Sequence, residues 1–205
     1  MKARQKKILV VSQYVLLAMG LSALGYCAIT IVKARQYQAS ARQQIRSGNS
    51  EPVAVQPGLS EAVSQPKPLQ VGSGMPAIGR LDIPRLHISV MVAQGTSPRV
   101  LRVAAGHIPD TALPGQTGNV VIAAHRDTFF RHLGELKSGD VIQVTTRGKP
   151  YVYTVKFTDI VSPKETWVLE PSSGQSLTLV TCYPFYYVGP APKRFVVRAG
   201  RTDST

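Results

Sequence analysis

Residues 176–184 read SLTLVTCYP, a run of leucine and β-branched residues that ends on a cysteine and is cut by a proline. Such residues favour an extended chain, and proline cannot continue a strand's hydrogen-bond ladder. The run therefore predicts a strand that presents Cys182 at the rim of a sheet. Outward from it, AIGRLDIP (77–84), LHISVMV (86–92), NVVIAAH (119–125), VIQVTT (141–146), YVYTVKFTDIV (151–161) and RFVVRAG (194–200) repeat the pattern between Gly and Pro breaks. Seven or eight short strands of this kind predict a mainly β domain, either a closed barrel or a sandwich. Only VLRVAA (100–105) and FFRHLGELK (129–137) read as helical, and both are short.

The chain has 205 residues, with 24 Lys and Arg against 11 Asp and Glu, a formal net charge of +13. The excess is uneven: +8 over residues 1–50, −1 over 51–75 and +6 over 76–205. Most of it flanks one apolar run. The remainder carries no basic-aromatic stripe, so nucleic acid is not the expected partner. Cys27 and Cys182 lie 155 positions apart, with no CxxC pair and no Cys/His ladder. That excludes a disulfide framework and a structural zinc site. Setting the N-terminal run aside leaves at most about 170 residues to fold, the size of one domain.

The apolar run covers residues 8–32, 25 positions without a charge. As a helix it measures about 37 Å against a hydrocarbon core of about 30 Å, which predicts a transmembrane helix after the short segment 1–7. It is longer than the apolar region of a cleavable signal, about 7–15 residues. Tyr26 also stands where a lipoprotein signal needs a small residue before Cys27. Lys2, Arg4, Lys6 and Lys7 on one side are balanced by Lys33, Arg35, Arg42 and Arg46 on the other, so charge leaves the orientation open. KARQYQASARQQIRS (33–47) consists of good helix formers and prolongs the helix to about Arg46. Residues 47–75 turn to Gly, Ser, Pro and Gln with no apolar periodicity. They read as a flexible linker with an end-to-end span on the order of 30 Å. The expected organisation is thus a transmembrane helix over 8–32, a juxtamembrane helix and linker over 33–75, and the folded β domain over 76–201.

Cys182 is the one thiol of the globular part. On composition alone it reads as a buried structural cysteine, since unpaired cysteines are among the most buried residues. Its surroundings reverse this. TLVTCYP followed by Lys193-Arg194-Phe-Val-Val, with Gly118-Asn119-Val-Val-Ile-Ala-Ala-His125-Arg126-Asp127 upstream, strongly resembles a sortase, the cysteine transpeptidase of bacterial surfaces. The resemblance runs from about Ile78 to Arg198 and is nearest to classes D and E. Three separated elements stand in the family's order: His125 at the end of a strand, Cys182 ending another, and Arg194 twelve residues later in the next. It implies a sortase-type closed β-barrel with short helices, and His125, Cys182 and Arg194 as the catalytic set.

Chemistry alone suits those residues to different tasks. A free thiol of pKa about 8.5 is only a few per cent thiolate at neutral pH, so attack on an amide needs a basic or cationic neighbour. His125 can supply that and protonate the leaving amine. Arginine does not give up its proton; its planar fork of N–H donors suits an oxyanion or a substrate carbonyl. Without the resemblance Arg194 reads as a surface strand arginine like Arg198. Thr181 points to the opposite face of a regular strand, though the family places a substrate-binding hydroxyl there. VSPKETWVLEP (161–171) holds the single tryptophan. Trp167, Val168 and Leu169 either wall a pocket for a Leu-Pro pair, as the corresponding loop does in sortases, or cap the barrel. His107 and His132 have no such context, and Asp127 reads as a turn residue. Glu165 and Glu170 are isolated in sequence, so neither a metal nor another cofactor is expected.

The resemblance implies a membrane-anchored enzyme with a cytoplasmic N-terminus, residues 1–7, and an extracytoplasmic catalytic domain, residues 76–201. It would cleave an LPxTG-like sorting signal of a surface protein or pilin and hold the acyl group as a thioester on Cys182. The acceptor would be an amine of a peptidoglycan precursor or a pilin lysine. Two alternatives stand beside it: an L,D-transpeptidase, whose S-H-G-C type turn is absent from the sequence, and a tethered β-domain that binds envelope partners with a silent thiol.

Overall fold

The computed structural model describes residues 2–47, 69–71 and 75–202. The linker over 48–68 lies outside the described residues. Residues Met1–Gln36 form one unit and Tyr37–Thr205 a second. Helix α1 runs from Lys2 to Ser47, and its stretch Val11–Gln43 is long and apolar enough to cross a membrane. From Tyr37 on, helix residues belong to the globular unit. Gln38 Nε2 donates to the Val103 carbonyl (2.7 Å) while its Oε1 accepts from the Met91 N–H (2.8 Å).

Among its described residues the globular unit contains nine strands: β1 (Leu69–Val71), β2 (Met75–Ile83), β3 (Ile88–Gln94), β4 (Ala105–His107), β5 (Gly118–Ala123), β6 (Val141–Thr146), β7 (Lys149–Val161), β8 (Gln175–Tyr183) and β9 (Lys193–Arg201). The order is β1-β2-β3-β4-β5-β8-β9-β7-β6, and a further β2–β6 pairing joins the ends. Eight strands therefore close a barrel, with β1 appended to one end of β2. Closure removes the unpaired edges of an open sheet. Gly79 sits at the seam, where a Cβ would collide with the Thr145 carbonyl, so only glycine lets β2 approach β6 this closely.

Alternation sends Leu81, Ile83, Val90, Val92, Val120, Ile122, Ile142, Val144, Leu177, Leu179 and Val197 into one continuous core, which Phe130 and Leu133 complete. Fully burying each such side chain contributes roughly 1.5–3 kcal/mol before conformational entropy is set against it.

The structure departs from the sequence-based expectation in three places. The segment expected to be helical at 100–105 is instead α2, Pro98–Leu101, capped by Ser97, whose hydroxyl accepts from the Val100 N–H (3.4 Å). Ala105 has already entered β4, paired in parallel with β3. In 129–137 the regular helical part is a single 3-10 turn, Leu133–Glu135. Leu69–Val71, within the stretch expected to be linker, pairs antiparallel with Met75–Ala77.

Candidate active site

The outer face of β5, β8 and β9 carries the candidate residues in rows. β5 and β8 run parallel, with Val121 against Thr178 and Ala123 against Val180. β8 and β9 are antiparallel, with Thr178 against Arg198, Val180 against Val196 and Cys182 against Arg194. Side chains two apart on a strand share a face. The next row after Val180 and Val196 therefore holds Cys182 and Arg194, with His125 two residues past Ala123, just beyond the end of β5. Pairing persists beyond the end of β5: the Ala124 N–H donates to the Val180 carbonyl (3.2 Å), and the Thr181 hydroxyl to the Ala124 carbonyl (2.7 Å). Those bonds carry His125 alongside Cys182.

His125 is exposed, whereas Cys182 and Arg194 are half-buried. The His125 carbonyl accepts from the Phe130 N–H (3.0 Å). Among the described residues no carboxylate bonds the imidazole, so backbone contacts on either side set its place. Arg194 Nη1 donates to the carbonyls of Ala191 (3.2 Å) and Lys193 (2.9 Å). These bonds anchor one arm of the fork beside the thiol. Thr181 is buried on the inner face with its hydroxyl committed to Ala124; in this state it fixes β5 to β8.

The remaining histidines stand apart from this row. His107 is 2% exposed; its Nε2 lies 2.9 Å from the Ala112 carbonyl and 3.1 Å from the Thr111 hydroxyl, and its Nδ1 lies 3.2 Å from Gln94 Oε1. Burial pushes its pKa down, against the opposing effect of the Ala112 bond. His132 pairs with Glu135 on the surface (2.8 Å).

The loop over 161–171 covers the lower rows of the same face. Glu165 accepts from the Ser162 N–H (2.8 Å) and from Trp167 Nε1 (3.1 Å), and these bonds, the Ser162 one foremost, hold its carboxyl below its usual pKa. A 3-10 turn spans Trp167–Leu169. Val168 is buried in a satellite cluster with Val161 and Val196, against which Trp167 and Val180 pack. Leu169 stays 37% exposed. Trp167 and Leu169 are thus left to offer surface beside an apolar floor of half-buried Ala123 and Val180, with Val196 fully buried beneath the loop.

One residue that sequence reasoning missed fastens this loop. Asn119 is buried; its Nδ2 donates to the carbonyls of Val168 (2.9 Å) and Glu170 (3.2 Å), and its Oδ1 accepts from the hydroxyls of Ser176 (3.3 Å) and Thr178 (2.7 Å). Arg198 Nη1 donates to that Thr178 hydroxyl (2.9 Å), and burial lowers the Arg198 pKa while Glu170 raises it. The available signal was a lone amide opening an apolar strand, since a buried amide must find partners.

The family model described as Sortase domain matches residues 81–202, more than half of the chain. The chain belongs to the sortase family. Sortase D of Bacillus subtilis strain 168 is 36% identical over 126 residues, a stretch covering 61% of this chain and 64% of that relative, less than two thirds of its length. Among solved structures, a Clostridium perfringens Sortase D5 transpeptidase has a TM-score of 0.57 at 30% identity over 62% of this sortase and 80% of that chain. Sortase E1 from Streptomyces coelicolor, solved with a tripeptide in its active site, has a TM-score of 0.57 at 30% identity, covering 62% of this sortase and 88% of that chain. The likenesses to a D-type and an E-type enzyme agree with the resemblance read from the His125, Cys182 and Arg194 motifs.

Proposed function

We propose that this sortase is a single-pass membrane enzyme that cleaves an LPxTG-like sorting signal and joins the new carboxyl end to an amine. The observation that carries this reading is the row formed by His125, Cys182 and Arg194 at the end of an apolar floor. A thiolate on Cys182 attacks the carbonyl carbon of the threonine, the S–C bond forms, and negative charge moves onto the carbonyl oxygen. The free donors of Arg194 stabilise that oxyanion. Collapse breaks the C–N bond to the next residue, and His125 delivers the proton taken from the thiol to the departing amine. An acceptor amine then attacks the thioester, loses a proton to His125, forms the new amide and releases the thiolate.

The Leu-Pro part of the signal would lie on the floor of Ala123 and Val180, with Trp167 and Leu169 as its wall and Val168 supporting the wall from within. Thr181 contributes through the backbone of Ala124 rather than through a free hydroxyl. The acceptor is a peptidoglycan precursor or a pilin lysine, and α1 anchors the enzyme with the barrel outside the cytoplasmic membrane. The test incubates the full chain in detergent with LPxTG-variant peptides and with oligoglycine or diaminopimelate-type amines, reading products by mass spectrometry. Ligated product that requires Cys182 supports the reading. Hydrolysis alone with every amine would make the protein a peptidase.

A further inference from the structure

Arg126 follows the histidine, and its side chain leaves the row for the segment that joins β8 to β9. Nη1 donates to the Pro184 carbonyl (3.1 Å), and Nη2 donates to the carbonyls of Tyr187 (2.6 Å) and Gly189 (3.1 Å). The guanidinium carbon also lies 5.8 Å from the centre of the Tyr187 ring. Holding three carbonyls at once uses the planar fork, which the point charge of a lysine does not reproduce.

The root of the clamped segment is packed without this help. Phe185 meets Tyr183 and Phe195 edge-on, with centroids 5.9 Å and 5.4 Å apart, and it fills the space beside Gly134. The tip is different. Tyr186 is 91% exposed and Val188 98% exposed, and among the described residues 186–189 make no loop hydrogen bonds from backbone to backbone. The tip's fixed points are the carbonyls that Arg126 holds.

We infer that Arg126 is a positioning residue of this site: it holds residues 184–189 as a rigid lip beside Cys182, so that an incoming peptide meets a rim already in place. This rests on reading the cleft as a peptide-binding site. Ordering the lip in the free enzyme removes a cost that binding would otherwise carry. The clamp also joins the residue after the general acid to the segment after the nucleophile.

The experiment compares the full chain in detergent with Arg126→Lys and Arg126→Gln, using three readouts. These are the initial rate of chymotrypsin cleavage after Phe185, Tyr186 and Tyr187 against cleavage within β8 and β9, kcat and KM for a sorting-signal peptide, and the rate at which iodoacetamide alkylates Cys182. The expected result is cleavage of the lip about tenfold faster with β8 and β9 unchanged, and KM up by about tenfold, while alkylation by the small reagent changes by less than about threefold. Unchanged lip cleavage in both variants overturns the inference, as does faster cleavage spread equally over β8 and β9. Faster lip cleavage with an unchanged KM overturns it too. If the unmodified enzyme turns over no peptide, the functional reading fails, and the cleavage comparison still decides whether Arg126 holds the lip.

Discussion

Cys182 and Arg194 are directly opposed residues of antiparallel β8 and β9, a relationship that puts their Cβ atoms about 4.5–5.5 Å apart on one face. Backbone pairing of two central barrel strands, and no loop, thus sets the spacing of thiol and guanidinium. Rigid strands hold a reacting geometry better than loops do.

If Arg194 stabilises the oxyanion through its fork, lysine will not replace it, because one arm is already spent on the carbonyls of Ala191 and Lys193. Arg194→Lys and Arg194→Ala should each lower kcat by a factor of about 100 or more, the scale of losing one oxyanion donor. Lys193→Ala should stay within a few fold. Equal losses at both positions would show that general positive charge is what the site uses.

Asn119→Ala leaves two loop carbonyls and two hydroxyls without their buried partner. A loss on the order of 3 kcal/mol follows, or a fall in Tm of about 10 °C, together with a raised KM as the Trp167–Leu169 wall loosens. Thermal unfolding and steady-state kinetics on the same preparation check both. A variant with wild-type Tm would contradict the assigned network.

The buried imidazole of His107 makes stability depend on pH. Its folded pKa is depressed by burial, so above about 6.5 it is neutral in both states and costs nothing. Below that, the unfolded chain takes up a proton that the folded chain resists, and stability falls as the pH drops toward the folded pKa. Tm should decline between pH 7 and pH 5, and more steeply than in His107→Gln, whose Tm is lower at neutral pH but flatter across this range. Parallel Tm–pH curves for the two proteins would refute the assignment.

The topology follows from where sorting signals and wall precursors are met. A reporter active only outside the cytoplasm, fused to the C-terminus, should be active, and a cytoplasmic reporter silent. The reverse result would remove the functional proposal along with the topology.

Much of this was legible in the sequence, for physical reasons. The seven runs that became long strands have the alternation a barrel requires, and NVVIAAH and SLTLVTCY carried the rims on which His125 and Cys182 stand. Three-residue strands were not legible: Leu69–Val71 and Ala105–His107 are too short to show a period, and their pairing is set by β2 and β3. The helix start at Ser97-Pro98 was readable from its cap residue followed by proline. Asn119 and Arg126 escaped because their partners lie 49 to 63 positions away, a distance across which only the folded sheet brings groups together.

The central claim is that Cys182 carries the acyl group. The most direct measurement mixes the full chain in detergent with an LPxTG-type peptide lacking any acceptor amine, quenches in acid within the first turnover, and maps the adduct by mass spectrometry. The account predicts the mass of the peptide's N-terminal fragment through threonine on Cys182. That adduct should disappear when an amine is added before quenching and should never form in Cys182→Ala. Peptide cleavage that proceeds equally in Cys182→Ala, or an adduct on any other residue, would contradict it.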